Sequence, residues 1–218
     1  MLSTRAFNNP SVADMLAKHQ DIIEELAFPY KAPGAYRALL DLGIRALPAV
    51  RAGLRHDDPD VRLHCCRFLD RYLSPDTLSD LMDMLSDRDA RVRCSALHTL
   101  ACDRCKEGSC KPEEADVLPK AIEMLARDPE AHVRAMAIEV VGQFVHANAL
   151  ALAAISAARR SDDNSTVRKK AGWYLPGGPI HRRTKPRLGV APVDVANGLG
   201  IFELQGKNRS LVREAPRT

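Results

Sequence analysis

His98, Cys102, Cys105 and Cys110 are the densest group of metal-seeking side chains in this sequence. The spacing His-x3-Cys-x2-Cys-x4-Cys sets four soft donors within thirteen residues. Four such donors suit tetrahedral zinc, which takes thiolate and imidazole ligands. Three chemistries stay open for the segment: a small structural zinc loop, a redox-sensitive disulfide among the three thiols, or plain reduced cysteines. Zinc is the one cofactor the sequence suggests. Cys65, Cys66 and Cys94 lie in apolar or helical surroundings, where a thiol behaves as a small hydrophobe, and they receive no chemical role. A Gly-rich phosphate loop and a Gly-x-Ser-x-Gly elbow are both absent, as is any His-Glu dipeptide. The expectation is therefore a non-enzyme, with no catalytic residues.

A second set of charged residues recurs. Arg62, Arg93, Arg134 and Arg168 each follow a valine: Val61, Val92, Val133 and Val167. Repetition in phase is what a structural role produces. Each arginine is expected to pair with an aspartate or a helix-end carbonyl of a neighbouring repeat, rather than to form a ladder of ligand-binding cations. Arg159, Arg160, Lys169 and Lys170 lie close in sequence. They could join Arg182, Arg183, Lys185 and Arg187 of the C-terminal region in a basic patch.

The elements that carry these residues follow from the same repeat. Asp57-Asp-Pro-Asp-Val-Arg62 is answered by Asp87-Arg-Asp-Ala-Arg-Val-Arg93, then by Asp128-Pro-Glu-Ala-His-Val-Arg134 and Asp162-Asp-Asn-Ser-Thr-Val-Arg168. Apolar residues return four and eight positions after each valine: Cys65 and Leu69, Ala96 and Leu100, Ala137 and Val141, Ala171 and Leu175. A spacing of four is one face of a helix. Acidic residues before each valine sit where a helix N-cap belongs, and Pro59 and Pro129 fit a first helical turn. Counted from Val92, His98 falls near 240° and Cys102 near 280° around the helix, away from the core stripe. A second helix follows each first one. The predicted faces are Leu78, Leu81, Met82 and Leu85; Leu118, Ile122 and Leu125; and Leu150, Ala154 and Ala158 in an Ala-rich segment. Upstream, Tyr36–Gly43 and Ile44–Arg55 read as a degenerate pair turning at Gly43. Residues 11–28 read as an amphipathic capping helix that starts at Ser11.

The Asp-Pro-x-Val-Arg motif, the small and apolar residues at helical spacing and the second helix with Leu pairs resemble the HEAT repeat. In particular they resemble the short variant also found in phycobilin lyase-type proteins. The resemblance runs over roughly Pro33 to Tyr174. It implies an all-α fold, an α-solenoid of stacked antiparallel helix pairs (an α-α superhelix). Expected boundaries are a solenoid over 1–175, with about four and a half pairs over 33–175, and a basic, largely extended or disordered tail over 176–218. HEAT-like deoxyhypusine hydroxylases carry paired His-Glu motifs for di-iron, which this chain lacks. Trp173-Tyr174 reads as a lid over the last apolar face.

Composition fits. Hydrophobic residues make up 45% and aromatics only 5%, a mix that suits thin helical layers. The formal net charge of +4 is too small to imply nucleic acid. No apolar run reaches the roughly 20 residues of a membrane span, and the first nine residues hold no signal-like stretch, so a cytoplasmic protein is expected. A lone helix pair cannot bury its own apolar face, so pairs stack and leave a long free surface. The expected function is a non-catalytic protein-binding scaffold. The alternatives are nucleic-acid binding through the basic patch and a bilin lyase-type enzyme or accessory.

Overall fold

Helix starts in this protein are set by short polar side chains that hold the first free N–H groups. Asp58 accepts a hydrogen bond from the Asp60 N–H at 2.7 Å, and Asp89 accepts one from the Arg91 N–H at 2.8 Å. Asn148 accepts from the N–H groups of Leu150 and Ala151, and Asn164 from those of Thr166 and Val167. Ser74 and Thr77 close a reciprocal capping box. Glu130, at the matching position of the third copy, makes no such side-chain bond.

The structure is a computed structural model that describes residues 12–102 and 112–186. The helices are α1 (Val12–Glu25), α2 (Ala32–Leu42), α3 (Leu47–Gly53), α4 (Pro59–Tyr72), α5 (Pro75–Asp83) and α6 (Ala90–Ala101). After the insertion come α7 (Glu114–Arg127), α8 (Ala131–Val141), α9 (Ala149–Ser161), α10 (Ser165–Tyr174) and α11 (Pro179–Thr184). The fold is all-α, with no strand among the described residues. It is a solenoid. The first helices form one layer, with α4 on α6, α6 on α8 and α8 on α10, and α7 packs on α9 in the other layer.

The core lies between the layers and follows the valine stripe. Of the twelve stripe positions only Leu175, at the C-terminal end, is not buried. Leu81, Leu85, Leu118 and Leu125 complete it from the second helices, with Leu78, Met82 and Ile122 packed at its margin. At the N-terminal end Ile23 and Leu26 of the α1 region are fully covered, and α1 rests on α2 and α3.

Several expectations need correction. Leu150 is 71% exposed, and α9 turns Ala151, Ile155 and Ala158 to the core instead. Asn148 fixes where the helix starts, and the one β-branched residue, Ile155, takes the inward position. Leu16, within the segment that reads as an amphipathic capping helix, is exposed. The degenerate pair begins earlier than expected, at Ala32. Gly43 does make the turn, at φ +58°, but 3₁₀ geometry over Gly43–Ala46 precedes α3 and leaves Ile44 exposed. Past the Pro176-Gly-Gly turn the chain is helical again in α11, where an extended tail from 176 is predicted. Pro179 at the first helical turn is compatible with this restart. Ser11, Cys105, Cys110 and residues 187–218, including Arg187, lie outside the described residues.

Candidate functional site

The arginines that follow each valine build the spine of the solenoid. Arg62 grips Asp87 in a two-pronged pair, Nε to Oδ2 at 2.7 Å and Nη2 to Oδ1 at 2.9 Å. Arg93 holds Asp128 in the same way at 2.7 and 2.9 Å, and Arg134 holds Asp162 at 2.8 and 2.9 Å. The Nη1 of each donates backwards to the carbonyls five and six residues upstream: Asp57 and His56, Arg88 and Asp87, Pro129 and Asp128. Each aspartate also accepts the N–H two residues on, from Asp89, Glu130 and Asn164. Planar forks of this kind suit arginine and not lysine. Arg168 repeats only the backward half, with its Nη1 on the Asp162 and Asp163 carbonyls. The arginines are therefore occupied inside the fold.

Charge balance in the rungs is visible in the acids. The Arg134 fork holds Asp162 below its ordinary value of 3.8, against the opposing effect of burial. Burial works to raise Asp87, but the Arg62 fork and the Asp89 N–H outweigh it, and the net shift is downward. Arg62, Arg93 and Arg134 are all raised, chiefly by the hydrogen bond each makes to its aspartate.

The basic patch is partly consumed by internal bonds. Lys170 pairs with Glu139 across α10 and α8, and Arg159 donates to the Arg168 carbonyl at 3.3 Å. Arg160 and Lys169 are exposed, as are Arg182, Arg183 and Lys185 around the end of α11.

The structure brings two of the four zinc-seeking residues together and adds a third that the sequence reading omits. His98 lies on α6 and Cys102 at its C-cap. Across from them, Asp70 of α4 sets Oδ2 3.6 Å from His98 Nε2. One ligand atom from each of Asp70, His98 and Cys102 lies within 4.8 Å of the others. Asp70 Oδ1 is buried with no hydrogen-bond partner, a condition that costs about 1–3 kcal/mol. Asp70 and His98 line a depression of about 560 Å³ that crosses α2, α4, α6 and α8, with Tyr36, Arg67, Cys94 and Met136 among its walls. Asp70 was hidden in the sequence because it is twenty-eight residues from His98. Only the packing of α4 on α6 joins them. Cys65 and Cys66 are fully buried; burial drives both thiols up, Cys66 to about 12, which keeps them protonated and unreactive.

A larger apolar groove, about 800 Å³, lies between α7 and α9. Its floor is Leu118, Pro119, Ile122, Ala153 and Ala154, with Leu150 on one side and Glu113, Glu114 and Asn148 at the mouth. A smaller depression shares Ile122 and Ala154 and continues past Ala157 towards Asp162. The Ala-rich face of α9 is what leaves the trough open. Among the described residues no helix is long and apolar enough to cross a membrane.

Residues 20–101 and 47–121 match the family of HEAT repeats. No curated protein is a match to the sequence. Solved structures similar to the chain include an engineered protein from the Northeast Structural Genomics Consortium. It is 18% identical, with 81% of each chain covered and a TM-score of 0.46. Another is a designed armadillo repeat protein, 13% identical, with 81% of this chain and 83% of that one covered and a TM-score of 0.45.

Proposed function

We propose, from the premise that the chain is a HEAT-like repeat protein, that it is a non-catalytic scaffold whose groove between α7 and α9 receives an apolar helix face of another protein. The observation that carries this reading is the groove itself, with the 71% exposed Leu150 on its rim. A leucine that faces water at the edge of an apolar trough extends one contiguous apolar surface, and surfaces of that kind mark interaction sites. α9 spans thirteen residues, or roughly 20 Å, enough for about four turns of a docked amphipathic helix. The acidic mouth at Glu113 and Glu114 favours a basic residue at one end of that helix.

The basic residues argue less for nucleic acid, because Lys170 is committed to Glu139 and Arg159 donates to the Arg168 carbonyl. The test compares the full chain with Leu150→Arg as bait in extract from the native cell, with mass spectrometry of what each retains. Leu150 is exposed, so its replacement should change stability by no more than about 0.5 kcal/mol. A protein held by the parent chain, lost from the variant and bound again when purified supports the reading. Identical capture by both chains refutes it.

A further inference from the structure

We propose that Asp70, His98 and Cys102 bind one divalent ion of the zinc class, and so tie the C-terminal end of α6 to α4. This stands apart from the α7–α9 groove and does not depend on it. The donor set is one carboxylate, one imidazole and one thiol, a mixture that selects zinc or cobalt over magnesium or calcium. Metal–ligand lengths of roughly 2.0–2.3 Å put tetrahedral donor atoms about 3.3–3.6 Å apart. The 3.6 Å between His98 Nε2 and Asp70 Oδ2 is already close to that spacing, and the whole trio falls within 4.8 Å. Rotation of the half-exposed His98 ring and of Cys102 at the end of its helix can close the remainder.

An independent observation points to a ligand here. Asp70 Oδ1 is buried without a hydrogen-bond donor, although its side chain keeps 15% exposure on the wall of an open depression. A carboxylate oxygen withdrawn from water and left without a donor is suited to a cation that enters from that depression. On binding, Cys102 releases its proton and coordinates as the thiolate. Three protein ligands leave a fourth position for water, which the depression can supply.

The experiment strips the full chain with a chelator and titrates it with Zn²⁺ and Co²⁺. One ion per chain is expected, with a thiolate-to-cobalt charge-transfer band that disappears in Cys102→Ser. Asp70→Asn keeps the shape but weakens donation, and affinity should fall by at least about tenfold. The Cys105→Ser/Cys110→Ser double variant should keep both the stoichiometry and the band. If Asp70→Asn loses its helical circular dichroism, His98→Gln gives the same readout from a more exposed position. Failure to bind either ion overturns the proposal. So does wild-type affinity in Asp70→Asn or His98→Gln, or loss of binding in the double variant.

Discussion

A single rung of the arginine–aspartate spine contains more constraint than its one pair suggests. Arg62 is only 5% exposed and makes two bonds to Asp87 and two to upstream carbonyls. Removing the guanidinium leaves Asp87 charged, with its side chain only 5% exposed. Arg62→Met should therefore destabilise the protein by about 3 kcal/mol, the low end for breaking a buried pair. Arg62→Met/Asp87→Asn should recover part of the loss, since the amide oxygen still accepts the Asp89 N–H. Arg168→Met gives up carbonyl bonds alone and should cost only about 1 kcal/mol. Urea denaturation of the three variants checks the ordering. The same rungs set an acid limit. Asp87 and Asp162 have folded-state pKa values below 3.8, so the unfolded chain takes up protons first as the pH falls. Their contribution is complete above the unfolded value and drains away as the pH drops through the lower folded values. The urea midpoint should fall below about pH 4, and Arg62→Met should show a shallower fall.

At the scale of the helix, packing and not propensity decides what a residue does. Gly142, at the C-terminal end of α8, lies under the Tyr174 ring, and a Cβ there would clash with Tyr174 Cδ1. Tyr174 belongs to the Trp173-Tyr174 pair that reads as a lid in the sequence, and burial lifts its hydroxyl pKa to about 12. Trp173 beside it stays 38% exposed. Gly142→Ala should cost about 2 kcal/mol by overpacking. In a double-mutant cycle with Tyr174→Ala most of that cost should vanish, because the ring is what the methyl group meets. Fully additive losses would place the clash elsewhere. The valine stripe and the N-caps at Asp58 and Asp89 were legible because each depends on neighbours two to four residues away, whereas the fourth copy caps its helix with Asn164 and not with an acidic residue. The inward face of α9 was not. Leu150, Ala154 and Ala158 have acceptable helical spacing, and so do Ala151, Ile155 and Ala158; an Ala-rich helix offers too little contrast to choose. Asp70 was illegible for a different reason, as its meeting with His98 is a tertiary fact.

The whole molecule is organised by neighbour contacts, and its failure under stress should be too. The repeat was readable because four copies of one motif share one phase, and each rung of the spine reaches only to the next copy. Stability in such a stack is close to a sum of local terms plus nearest-neighbour interfaces. α1 rests on α2 and α3, and the main contacts of α8 are with α6, α7, α9 and α10. Ile23 of α1 is fully buried and packs so close to Gly53 that a Cβ added there would lie 3.1 Å from Ile23 Cγ2. Ile23→Ala should therefore cost about 2–4 kcal/mol at the N-terminal end. Hydrogen exchange should accelerate through α1, α2 and α3 while α8 and α10 keep their protection, because local opening follows local contacts. If amides in α8 and α10 accelerate by the same factor as those in α1, the arginine spine couples the stack into one cooperative unit. The additive picture would then fail for this chain. Repeating the measurement in the Arg93→Met background locates that coupling, since Arg93 is the rung that crosses from α6 to the start of the third motif at Asp128. With the rung cut, protection in α8 and α10 should become independent of any damage in α1.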